Sequence, residues 1–193
     1  MAKVLTGRHA ILEPLSLAHA GDLFEAGRDD ETWRYMPRPA LRSTEDAASM
    51  IRQALRDAED GGEIPFAIVE AGSGRAVGST RYLDVQPTHH ALEIGWTWIG
   101  PSWQRTAVNT ECKLLLLGHA FQELAAHRVT LKTDARNVRS QRAIERISGV
   151  REGVLRRHRV CWDGSVRDTV YYGIIDVEWP AVKARLEARL LTS

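Results

Sequence analysis

Glu93 lies in the run Ala91–Ile99, which is otherwise largely apolar or aromatic. Strand alternation sends its carboxylate away from Leu92 and Ile94. If that face lines a cleft, partial burial raises its pKa and suits it to take a proton as a general base. On the wet side of a half-buried sheet it is an ordinary exposed carboxylate. A second group of residues, Gln104, Arg105, Thr106, Ala107, Val108, Asn109 and Thr110, leads from a loop into a helix expected from near Asn109. A helix opening presents unpaired backbone N–H groups and a partial positive charge, which together suit a phosphate. Asn109 or Thr110 also reads as a plain N-cap. Asn137 and Ser140 open a later short helix. Either residue reads as a helix cap.

Other reactive side chains carry weaker signals. Tyr171 and Tyr172 point to opposite faces of one strand, so one of them faces a cleft or both pack. Trp33, Tyr35, Trp96 and Trp98 shape a pocket or, more simply, a core. The histidines, His119 included, form no metal-like pair, and no metal is expected. Cys112 sits within a helix without a partnered base, so it is rejected as a nucleophile. Cys112 and Cys161 match no metal-binding spacing and imply a reduced, cytoplasmic setting.

The elements that must position these residues follow from periodicity. Ala10–Leu15 predicts a strand, and Leu17–Arg28 a helix with Leu23 and Phe24 on one side. Ser43-Thr44-Glu45-Asp46 starts a helix carrying Met50, Ile51, Ala54 and Leu55, which Gly61-Gly62 ends. Ile64–Glu70, Ala76–Leu83 and Ala91–Ile99 predict an antiparallel meander. Asn109–Ala126 predicts a helix with Leu114, Leu117, Phe121 and Leu124 on one face. Val129–Thr133 is a strand and Ser140–Ile147 a helix of about two turns. Val154–Trp162 and Val166–Ile175 flank the hairpin signal Asp163-Gly164, and Trp179–Leu191 closes the chain as a helix. Residues 1–193 are expected to form one α+β domain.

Three segments together resemble the Gcn5-related N-acetyltransferase (GNAT) family: Glu93-Ile-Gly-Trp-Thr-Trp, Gln104-Arg-Thr-Ala-Val-Asn-Thr and Asn137-Val-Arg-Ser-Gln-Arg-Ala. The order of elements extends the resemblance over nearly the whole chain, and the branch it looks most like contains the ribosomal-protein N-terminal acetyltransferases. The resemblance implies a mixed, mostly antiparallel sheet of about seven strands flanked by helices. It implies acetyl-coenzyme A as cosubstrate, with its pyrophosphate at residues 104–110 and its pantetheine arm beside Asn137. Ser140 would protonate the departing thiolate, Glu93 would relieve an amine of its proton, and a backbone N–H of Ala91–Ile99 would polarise the thioester carbonyl. The family pattern places glycine or a small residue where Ala107 and Asn109 stand, and glycine there would permit positive φ and close approach to phosphate.

Composition bounds the remaining classes. Hydrophobic residues make up 44% and charged residues 26%, the balance of a globular chain. A net charge of +1 argues against a protein devoted to coating nucleic acid, although eight arginines cluster between Arg136 and Arg159. The start shows no secretory leader, and the longest aliphatic run, Leu114–Leu117, is far short of a membrane span. The resemblance implies an amine acceptor as partner, a small molecule or a protein N-terminus, which attacks directly. A homodimer through a sheet edge or the last helix is compatible with the pattern. Two competing functions are a non-catalytic acyl-coenzyme A-binding or interaction module on the same fold, and an RNA- or ribosome-associated module using the arginine cluster.

Overall fold

The structure, a computed structural model, describes residues 3–192. Eight strands form one sheet in the order β1-β2-β3-β4-β5-β6-β8-β7, where β1 is Leu5–Thr6, β2 Ala10–Pro14, β3 Ile64–Glu70, β4 Arg75–Gln86, β5 Ala91–Ile99, β6 Arg128–Asp134, β7 Val150–Val160 and β8 Val166–Ile175. The strand beyond the expected seven is β1, whose two residues carry no readable alternation. The α+β class and the β3–β4–β5 meander are as expected. Asp163-Gly164 turns the β7–β8 hairpin, with Gly164 at φ 80°, where glycine is the natural choice.

The helices follow their caps. α1 (Ala20–Gly27) follows a 3-10 turn at Leu17–His19, and α2 (Asp30–Trp33) is a single turn capped by Asp29. α3 (Thr44–Asp57) is capped by Ser43, whose hydroxyl accepts from the Asp46 N–H at 3.1 Å. It buries Ala47, Met50, Ile51 and Ala54 and ends at Asp57, short of Gly61-Gly62; the chain completes further turns before Gly61 adopts φ 75°.

α4 (Ala107–Gly118) begins two residues earlier than the sequence suggests and gives way to a π-helical turn at His119–Glu123. Its buried stripe is Val108, Cys112, Leu116, Leu117 and Ala120, whereas Leu124 is 40% exposed. The stripe steps by four from Val108; of the expected face, Leu117 is fully buried, Leu114 and Phe121 pack half-buried against the core, and only Leu124, beyond the wider turn, is exposed. α5 (Val138–Arg146) and α6 (Trp179–Leu190) complete the chain.

The sheet has two covered regions. On one face α4 and α6 pack over Leu12, Phe66, Tyr82, Ile94, Val129 and Ile174. On the other, α1–α3 cover only the first half, around Ala67, Val69, Ala76 and Trp98. That second face is left without a helical cover where β6, β8 and β7 continue the sheet.

One buried carboxylate ties α4 to the sheet edge. Glu111 accepts the backbone N–H groups of Arg8 (3.0 Å), His9 and Ala10 (2.7 Å) at the β1–β2 turn. Glu111→Ala strands three donors at once, and charge-assisted bonds of this kind are the strong ones. The expected cost is about 2–3 kcal/mol, a fall of roughly 5–10 °C in the thermal melt.

Candidate active site

The sheet parts in its middle. β5 and β6 form its only parallel pair among the described residues, and their register runs only through Ala91↔Arg128, Leu92↔Val129 and Glu93↔Thr130. Beyond Glu93, β5 stays with β4 while β6 stays with β8, so a gap opens between two strands that began side by side. A bulge sharpens the divergence. Between Ser79↔Trp98 and Arg81↔Gly95, β5 carries one residue more than β4, and Trp96 takes φ 51° to absorb it. The Arg81 guanidinium lies 4.5 Å over the Trp96 ring and is held from behind by Glu63 (2.8 Å) and Asp57 (3.4 Å).

The lips of the gap are the two segments singled out from the sequence. α4 opens at Thr106, whose hydroxyl accepts from the Val108 N–H at 3.3 Å. The N-cap is therefore Thr106, and neither Asn109 nor Thr110, which lie inside the first turn, half-buried. The positive φ falls on Arg105, at 64°, while Ala107 is ordinary helix. Glycine at position 107 would thus add no conformational freedom that this loop uses. Gln104 bridges the gap: its amide nitrogen donates to the Ile99 carbonyl at 2.9 Å, and its amide oxygen accepts from Arg139 of α5 at 2.9 Å. On the opposite lip Asn137 caps α5, accepting the Ser140 N–H at 3.0 Å. The half-buried Ser140 hydroxyl takes no partner among the described residues.

Glu93 projects onto the other face of the sheet. It is 5% exposed; Oε2 lies 2.7 Å from Lys132 Nζ, and the buried Oε1 has no hydrogen-bond partner among the described residues. Burial raises the pKa of its carboxyl, and the Lys132 ammonium pulls only part of the way back. Tyr171, paired with Lys132 across the β6–β8 ladder, sits with its ring 5.9 Å from that ammonium. Two residues along β6, roughly 7 Å by strand rise, Asp134 borders a cleft of about 180 Å³. The cleft lies between Arg34–Met36, after α2, and the hairpin tip Cys161–Ser165. Burial works to raise the Asp134 pKa, but hydrogen bonds from Arg136 prevail and hold it low.

Several groups escaped the sequence reading. Lys132 was missed, although Leu131 and Thr133 on either side of it point to the buried face and so place it opposite. Lys113, on α4, was missed as well. It is 8% exposed and donates to Thr97 Oγ1 at 2.8 Å, which meets Thr80 Oγ1 at 2.7 Å. Burial pushes its pKa down. Of the two tyrosines, Tyr172 is core, its hydroxyl donating to Glu145 at 3.1 Å, and Tyr171 faces the Glu93 side. Trp33 and Trp98 pack against each other with centroids 4.8 Å apart. Cys112 is fully buried, its thiol pushed up to about 11 by desolvation.

Comparison with known proteins gives this geometry a context. The profile of the acetyltransferase (GNAT) domain matches residues 9–149. The chain is 24% identical over 157 residues to the uncharacterized N-acetyltransferase YnaD of Bacillus subtilis (strain 168), covering 81% of this chain and 88% of that one. A GCN5-related N-acetyltransferase from Brucella melitensis superposes with a TM-score of 0.91 at 28% identity, over 97% of this chain and 85% of that one. RimJ of Mycobacterium smegmatis, solved with CoA-disulfide, shares the fold at a TM-score of 0.80 and 21% identity, over 93% and 88% of the two chains. On the strength of a domain profile that spans well over half its length, the chain belongs to the GNAT acetyltransferase family.

Proposed function

We propose that the protein, working as one domain, is an acetyl-coenzyme A-dependent N-acetyltransferase that modifies a primary amine by direct transfer. The observation that carries this reading is the gap between β5 and β6, with a helix opening at one lip and a buried, half-satisfied carboxylate on the opposite face. The CoA-disulfide in the structure of Mycobacterium smegmatis RimJ supports the choice of cosubstrate. Acetyl-coenzyme A supplies a thioester carbon that an amine can attack. The residues present fit it: the loop from Gln104 to Thr106 and the first-turn N–H groups of α4, from Ala107 to Thr110, suit its pyrophosphate, and Asn137 suits the amide-bearing arm.

The chain's own residues then divide the work. Glu93 accepts a proton from the acceptor amine, which is needed because a lysine-type amine near 10.4 and an α-amine near 8 are mostly protonated at neutral pH. The backbone N–H groups near the Trp96 bulge polarise the acetyl carbonyl, and Ser140 returns a proton to the thiolate. Fixing the reactants across the gap supplies much of the acceleration, of the order of 7–11 kcal/mol in favourable cases. The cleft beside Asp134, Tyr35 and Trp162 receives the rest of the acceptor, either a protein N-terminus or a small amine. We assign a cytoplasmic setting; Cys112 and Cys161 are both free thiols, and among the described residues no helix is long and apolar enough to cross a membrane.

The reading is tested by a thermal melt with saturating acetyl-coenzyme A, followed by thiol release on an amine panel. A ligand at about 100 times its dissociation constant adds roughly 2.7 kcal/mol, an upward shift of about 5–10 °C at this size. Absence of any shift would sink the assignment. A shift without turnover on any amine would favour the non-catalytic binding module.

A further inference from the structure

Lysine is scarce in this chain. Of 26 basic side chains only four are lysines: Lys3, Lys113, Lys132 and Lys183. Lys3 and Lys183 lie on the surface beside Glu123 and Glu187. The other two converge on the site from opposite faces of the sheet. Lys113 lies under α4, donates to the Thr97 hydroxyl and forms no ion pair with a carboxylate among the described residues. Lys132 is different: its Nζ stands 2.7 Å from Glu93 Oε2, with side-chain exposures of only 21% and 7%.

An acceptor amine must bring an N–H to that same carboxylate on that same face. The Lys132 amine stands at that place, and it extends from β6, the strand that forms one side of the gap. We propose that Lys132 is a substrate of the protein's own transfer reaction, acetylated in cis on Nζ when acetyl-coenzyme A is bound and the acceptor cleft is empty. This rests on the acetyl-coenzyme A-dependent reading above.

The step balances without any further reagent. The Nζ ammonium gives one proton to Glu93, which passes it to solvent, and the free amine attacks the thioester carbon; the new N–C bond forms as the C–S bond breaks. A second Nζ proton goes to the departing thiolate, leaving free coenzyme A and Nε-acetyl-Lys132. The product is a neutral amide, so Glu93 loses the cation that faced its Oε2.

The test is intact-mass and peptide-mapping mass spectrometry of the full-length protein, as isolated and after incubation with acetyl-coenzyme A without acceptor. A single increment of about 42 Da on Lys132 is expected, replacing one ammonium by an amide. It should be absent from Lys132→Arg and formed at least tenfold more slowly by Glu93→Gln, as loss of a general base requires. Lys3 and Lys183 should remain unmodified over the same interval. Labelling of Lys113, equal labelling of the surface lysines, or no dependence on Glu93 would overturn the proposal. A melt on the same samples separates two failures: a thermal shift without label refutes self-acetylation alone, and no shift with no label refutes the transferase reading as well.

Discussion

Glu93→Gln is expected to lower amine acetylation by about 10²–10⁴-fold, the usual worth of a positioned general base, while the thermal shift produced by acetyl-coenzyme A persists. The persistence follows from geometry, because Glu93 projects to the face opposite α4. The pH profile gives the sharper signature. Burial raises the Glu93 pKa, with Asp84 adding to the rise and Lys132 and Arg159 opposing it. A base must be ionised to act, so wild-type turnover should fall as pH drops through that raised value and recover above it. Glu93→Gln should lack this limb, and its deficit should narrow at high pH, where the acceptor amine sheds its own proton. Equal turnover by the two proteins across the pH range would remove Glu93 from the chemistry.

Gly78→Ala is expected to be among the most damaging single-atom changes to the fold. A Cβ on Gly78 would stand 2.1 Å from the Trp98 carbonyl oxygen and 3.0 Å from the Ile99 Cα. Those are backbone atoms of β5, fixed by the β4–β5 ladder just past the Trp96 bulge, so no side chain can swing aside. Overpacking of this kind costs about 3 kcal/mol or more, a fall of roughly 6–12 °C in melting temperature. It should also weaken acetyl-coenzyme A binding, since the displaced Ile99 carbonyl is what anchors Gln104 at the mouth of the gap. A wild-type melt with intact binding would mean that β5 can slide past β4, and that the bulge does not fix the gap.

Much of the frame could be read from local signals. Ser43 with Asp46 announced α3, and Asp163-Gly164 announced the last hairpin. The inward face of β5 was legible because Leu92 and Ile94 flank Glu93. What stayed hidden depends on distant partners. The meeting of Glu93 with Lys132 follows from a parallel register, Glu93↔Thr130, set between strands joined through α4. The Trp96 bulge had no signature, since a bulky residue at positive φ is uncommon and only the surrounding ladder imposes it. The start of α4 was misplaced because Thr106, Asn109 and Thr110 are all acceptable caps. The choice among them is made by where the loop leaves β5. The π-helical turn after Gly118 likewise reflects packing rather than any local code.

The seam between β5 and β6 has a consequence for how the molecule holds together. Three residue pairs join strands β1–β5 to strands β6–β8, while each block is internally laced by longer ladders. Cooperative opening follows such boundaries, so amide exchange is expected to separate the two blocks at this narrow weld, across which one shared core under α4 and α6 continues. A molecule gripping both lips then acts as a rivet between them. Occupancy of the gap and mechanical unity of the sheet are then expected to rise together.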